Sequence, residues 1–222
     1  MPALSTTRQI SPSTDHPLPV RVAALTGIVG PTLFTLTFLA QEASRRAEFN
    51  PIAEPVSALE AGPNGWIQQA NFVTFGLLLL TFAFGLDRGL ARSQLGRLGP
   101  GLLGAASVGL FLAAAIPLRE DAVGVTYDPG GHFVAGVTFF LSTAMLVLSR
   151  RLAKDSHFRA LAFYTAICGV LAFLGFVVMG RFAMPDDTPL HDFAGLIQRV
   201  VLLLITFPCF VALAVRLRSK NS

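Results

Sequence analysis

The chain has 222 residues, of which 53% are apolar and only 14% charged, and its mean hydropathy is +0.61. Soluble domains carry about 25% charged residues, so this composition excludes a water-soluble globule, a disordered chain and a coiled coil, leaving membrane embedding. The net charge of +4 comes from basic residues dispersed in short clusters between apolar runs, a pattern of membrane orientation rather than of nucleic-acid binding.

Residues 1–20, with Ser11, Pro12, Ser13 and Pro17, read as a flexible cytoplasmic tail. The first apolar run that follows is long enough to span, so a cleavable signal peptide is not expected. Six stretches, 22–40, 67–86, 98–118, 133–149, 160–180 and 193–215, are long enough to cross about 30 Å of hydrocarbon as helices. The predicted fold is therefore all-α: one polytopic six-transmembrane-helix bundle over residues 21–218. Period-two alternation, which a membrane barrel requires, is absent.

Pro31 removes a backbone donor in mid-span and predicts a kink in the first helix. The loop that follows carries Ser57, Glu60 and the single tryptophan, Trp66, which falls where an indole ring favours the headgroup boundary. Gln69 and Asn71 occupy the first turns of the second span, where an amide needs an internal partner or water. On the third span Gly101, Ala105, Gly109 and Ala113 recur every four residues and predict a close helix approach. Asp128 precedes the fourth span and His132 opens it. Cys168 and Cys209 lie in apolar runs and read as inert, unpaired thiols.

His191 and Asp192 begin the sixth span, and Gln198 and Arg199 lie two turns deeper. His191, Gly195 and Arg199 are spaced by four and share a face. A guanidinium at that depth needs an acidic partner, an anion or a hydrated cavity, and the expected partner is Glu60 or Asp192. It either braces helices or anchors an anionic head group.

Orientation follows from the loops. One face collects 12 Lys and Arg against 3 Asp, net +9, and the other 5 Arg against 10 carboxylates, net −5. Because Lys and Arg are retained inside, the +9 face and both termini are predicted cytoplasmic, in a bacterial inner membrane, with the polar site on the extracytoplasmic side.

Three blocks carry a resemblance to a known family: Gly27-Ile28-Val29-Gly30-Pro31, Val56-Ser57-Ala58-Leu59-Glu60-Ala61-Gly62 with Gly65-Trp66 and Asn71-Phe72, and Gly195-Leu196-Ile197-Gln198-Arg199. Together they make the chain similar, over nearly its whole length, to a bacterial membrane family catalogued as domain of unknown function, number 998. The resemblance implies six membrane helices, no agreed activity, and a histidine opening the fourth helix, matched by His132. Relatives often carry a second histidine one turn earlier, where this chain has Asp128.

No nucleotide-binding, serine-hydrolase or zinc motif occurs, and the rim histidines lack the spacing of a metal or haem site, so neither cofactor nor metal is expected. The first expectation is a binding protein whose outward-facing pocket, between helices one, two, four and six, takes an amphipathic small molecule or a membrane lipid. Its ligand residues would be Ser57, Trp66, Gln69, Asn71, His191, Asp192, Gln198 and Arg199. The alternative is a cofactor-independent membrane enzyme acting on an isoprenoid, quinone or lipid, with Glu60, Asp128 and His132 as acid and base. A third is a structural partner subunit. The topology is testable directly: single cysteines at Asn64 and Thr126 should react with an impermeant thiol reagent only from the extracytoplasmic side, and labelling only from the cytoplasmic side would reverse the assignment.

Overall fold

The computed structural model describes residues 18–91, 96–121, 124–126, 130–185 and 187–220. The tail as far as residue 17, Asp128 and Asp186 lie outside them, and of His132 only the backbone is described. The elements are α1 (Leu18–Ser44), a 3-10 turn (Val56–Glu60), α2 (Trp66–Gly89), α3 (Leu98–Ala115), α4 (Gly130–Lys154) and α5 (Arg159–Val178), which continues into a π turn (Met179–Ala183). The sixth span is composite: a 3-10 turn (His191–Phe193), α6 (Ala194–Arg199), a π-helical stretch (Val200–Thr206) and α7 (Phe207–Lys220). A short antiparallel ribbon, β1 (Arg119–Asp121) with β2 (Gly124–Thr126), joins α3 to α4.

Six helices are long and apolar enough to cross a membrane, and the protein is a multi-pass membrane protein. Its surface is apolar where a soluble protein would be polar. Leu36, Phe163 and Leu204 are 60%, 77% and 70% exposed, whereas Gln68, Ser107 and Thr165 are fully buried. In hydrocarbon the gain comes from burying polar groups against partners, while leucine is as content outside as inside.

Consecutive helices pack side by side from α1 to α5, and the sixth span closes the ring by lying against both α1 and α5. Val20, near the start of α1, and Leu217, near the end of α7, both face Gly89 at the end of α2. Both ends of the described chain therefore share one end of the bundle, as six crossings require.

Two expectations change. Residues 18–20 belong to α1 rather than to the tail, and α1 runs on to Ser44, past the predicted end at Ala40. Of the small-residue stripe of α3 only Ala113 is buried: Gly101 faces open space, and the buried face runs through Gly99, Leu103, Ala106, Leu110 and Ala113. Gly99 is the glycine that permits close approach, because a Cβ there would sit 2.7 Å from the Leu148 side chain of α4. α1 stays helical through Pro31.

The end carrying the helix termini is fastened by a buried arginine. Arg151 of α4 is 5% exposed on its side chain, and its Nη2 donates to the carbonyls of Asp87 at 3.0 Å and Leu90 at 2.9 Å. Its Nε donates to Ala91 O at 2.9 Å. The last carbonyls of a helix have no partner of their own, and here a planar fork from another helix takes up those of α2. Asp155 accepts the Ala91 N–H at 2.9 Å, the His157 N–H at 3.0 Å and the Lys220 ammonium at 2.8 Å. Burial alone would raise its pKa, but Lys220 and the two amides outweigh it and hold the carboxyl below the usual range.

Candidate functional site

At the opposite end, the first loop is fastened onto the start of the sixth span. A helix begins with amides that lack intrahelical acceptors, and α6 finds them in this loop. The N–H groups of Gly195 and Leu196 donate to Ala53 O at 3.1 Å and Ile52 O at 2.9 Å. One turn deeper, the Val56 N–H donates to Gln198 Oε1 at 2.6 Å. Position 195 must be glycine for this docking, since a Cβ would lie 2.2 Å from Glu54 O.

Arg199 completes the joint. Its Nη1 donates to Glu54 O and Gly195 O, both at 2.9 Å, and its Nε donates to Glu42 Oε1 at 3.1 Å, with Nη2 on the same oxygen. The two side chains are 11% and 12% exposed, and the rings of Phe38 and Phe49 lie beside the guanidinium. Arg199 is thus paired, but with Glu42 at the end of α1 rather than with Glu60 or Asp192. Asp192 is exposed. His191 is half-buried, and its Nδ1 has no hydrogen-bond partner among the described residues.

Beneath the loop lies a buried polar layer. Gln41 Nε2 donates to Leu59 O at 3.1 Å and Asn64 O at 3.2 Å, and Arg45 Nη1 donates to Ala61 O at 2.8 Å. Asn71 donates to Phe34 O at 3.1 Å and to Gln68 Oε1 at 3.2 Å. The buried glutamine of α2 is Gln68, while Gln69 is half-buried and makes no side-chain hydrogen bond among the described residues. Trp66 is 65% exposed, as an interfacial anchor would be.

Glu60 closes the 3-10 turn outside the membrane spans and is only 5% exposed. Its Oε2 accepts the Leu118 N–H at 3.4 Å, and its Oε1 has no partner among the described residues. Burial pushes its pKa up to about 7, partly offset by the Leu118 amide. Of the proposed acid–base trio, only this side chain can be placed; Asp128 lies outside the described residues and so does the His132 imidazole.

Two cavities adjoin this end. The first is a cleft between α4, the end of α5 and the sixth span, with about 610 Å³ of free space counting its open mouth. Met179 and Gly180 of one π turn and Val201 and Leu202 of the other π stretch line it. The second, about 410 Å³ on the same measure, runs inward among Phe34, Phe72, Phe75, Leu110 and Leu141. Ser57, Val134, Thr138, Gln198 and Leu202 line both, so the cavities adjoin. Among the described residues no charged side chain lines either, and neither reaches Glu60, Trp66, Gln69, Asn71, His191, Asp192 or Arg199. α1, α2, α3, α4 and the sixth span surround the inner arm, and the mouth uses α5.

A family model for proteins of unknown function, DUF998, matches residues 28–215. The chain belongs to that family. No curated protein and no solved structure matches it. The DUF998 assignment agrees with the residues that fasten this end: Val56, Gly195, Gln198 and Arg199 all stand in the blocks that carried the resemblance. Residues the sequence reading did not single out are Gln41 and Glu42 on the last turn of α1, Arg45 just after it, and Gln68. Gln41 and Arg45 are four apart, and Glu42 and Arg45 entered the sequence reading only as loop charge.

Two outcomes follow. Arg199→Leu strands Glu42 and two carbonyls, and breaking a buried pair costs about 3–5 kcal/mol, so its melting temperature in detergent should fall well below that of Arg181→Leu, where an exposed arginine is lost. Equal melting temperatures would remove the brace. For Glu60, a raised carboxyl pKa means that the folded protein holds the proton between about pH 4.5 and 7 while the unfolded chain releases it. Stability should therefore decline as pH rises through that window, by about 3 kcal/mol at most. Glu60→Gln should flatten the slope, measured as melting temperature against pH.

Proposed function

We propose that this protein binds an amphipathic small molecule or lipid in the cleft between α4, α5 and the sixth span. The observation that carries the reading is the pair of adjoining cavities. Their combined shape has an apolar inner arm and, at the junction, three polar side chains, Ser57, Thr138 and Gln198. Ligand sites are mostly apolar with a few placed polar groups, and the lining of both cavities has that character. Methionines at the mouth, Met179 and Met184, offer adaptable surface to an irregular apolar chain. The π turns support the same reading, because such turns widen a helix and are frequent at functional sites.

The charge asymmetry between the loops supports an extracytoplasmic position for this end of the bundle. Arg199 is a brace rather than a head-group anchor in this reading, since Glu42 and two carbonyls already occupy it. Binding is favoured over acid–base catalysis because Glu60 lines neither cavity.

Leu202→Trp should fill the junction of the cavities, whereas Leu204→Trp, on the lipid-exposed side of the same stretch, should not. The protein is incubated in detergent with a diazirine-bearing long-chain alkane, irradiated and mapped by peptide mass spectrometry. Labelling of peptides around Val134–Thr138 and Gln198–Leu202 should fall several-fold in Leu202→Trp alone. Equal labelling of both variants refutes the site.

A further inference from the structure

The hydrogen-bonding inventory at the cavity junction is one-sided. Gln198 spends its amide oxygen on the Val56 N–H, which leaves Nε2 and its two hydrogens with no acceptor among the described residues. Ser57 is 4% exposed, and its hydroxyl likewise has no partner among the described residues. The remaining hydroxyl at the junction, Thr138, is committed to Val134 O of its own helix at 3.4 Å. Val56 and Ser57 are consecutive, so the hydrogen bond that seats Gln198 also sets the two free groups beside each other. The junction therefore offers donors, while its only amide acceptor is already used.

Resting on the binding reading above, we propose that the ligand is an uncharged lipid-like molecule with a carbonyl head, a ketone, quinone or ester, whose oxygen accepts from Gln198 Nε2 and Ser57 Oγ. Its apolar tail occupies the inner arm beside Phe34, Phe75 and Leu110. A carbonyl oxygen has two lone pairs and can take both donors. An alcohol head could accept from Gln198 Nε2 and donate to Ser57 Oγ, but it would then leave the Ser57 hydrogen unused, whereas a carbonyl takes both donors. A carboxylate would enter without a cation, because among the described residues no charged side chain lines the cavities and the nearby guanidinium of Arg199 is held by Glu42. Selectivity for a neutral acceptor follows from what the junction lacks as much as from what it presents.

The test uses the full chain in detergent and the diazirine alkane label, displaced by four unlabelled competitors of one chain length: 2-hexadecanone, 1-hexadecanol, hexadecane and palmitate. Two hydrogen bonds should make the ketone about 10-fold more effective than hexadecane, with the alcohol between them and palmitate weakest. Gln198→Glu keeps an acceptor for the Val56 N–H and removes the donor. Ser57→Ala removes the other donor and little else. Each should cut the ketone preference, read as the ratio of ketone to hexadecane displacement within the same variant, by about 3-fold. If hexadecane and ketone compete equally, the cleft still binds apolar chains and the carbonyl assignment falls. A preference for palmitate or the alcohol, or a ketone advantage that survives Ser57→Ala/Gln198→Glu, overturns it as well. If no competitor displaces the label, the binding reading falls with it.

Discussion

A guanidinium cannot be left bare two turns inside a membrane protein, and Arg199 answers that constraint by tying together three parts of the chain. It holds the carboxylate that ends α1, a carbonyl of the first loop and a carbonyl of its own helix. The loop has little secondary structure beyond one 3-10 turn, so its carbonyls need donors from elsewhere. Arg199 and the first amides of α6 supply them. Without that joint, Val56 would lose the register that places its N–H on Gln198, and the cavity junction would lose its geometry. The site is thus a consequence of the brace, although the brace does not line it.

The two ends of the bundle solve the same problem with different parts. At the end that carries the helix termini, Arg151 gathers the orphan carbonyls of α2, and Asp155 draws in Lys220 from the end of α7. At the other end Arg199 joins α1 to the sixth span. Both arginines act as planar forks on carbonyl groups, which a lysine could not reproduce with one ammonium. Between these fixed ends, α5 touches the sixth span tightly near Gly175, where a Cβ would lie 2.3 Å from Val201. Val201 stands in the π stretch of the sixth span, α5 turns π-helical at Met179, and Gly175, Met179 and Val201 all line the cleft.

The spans were legible because hydrocarbon thickness and hydropathy set them, and the parity of charge between loops required the termini to share an end. Details that depend on contacts between distant residues were less so. Glu42 stands 157 residues from Arg199, and a local reading looked for acids nearer the outer loops. The choice between Gln68 and Gln69 is a matter of helix phase: one position turns the side chain by about 100° from the interior toward lipid. The small residues of α3 misled for a different reason. Spacing by four marks a face but not which face is buried, and in lipid an outward glycine costs little.

Ser57 and Gln198 could be nominated from the sequence as polar residues in a membrane setting, but their roles could not. What separates Gln198 from Arg199, its neighbour in the chain, is the direction in which each points. Arg199 turns toward α1 and the loop, where its charge is matched, and Gln198 turns toward the cavity beside α4 and α5, where no charged side chain among the described residues lines the space. Adjacent helical positions lie about 100° apart, so a single turn can serve a brace on one side and a cavity on the other. Placing the charge on the brace side keeps the cavity neutral, and a neutral cavity with spare donors accepts a different class of molecule from one that holds a free arginine. The chemistry of the site is therefore decided by the register of α6 against the loop, which Gly195 permits by letting Glu54 O approach its backbone.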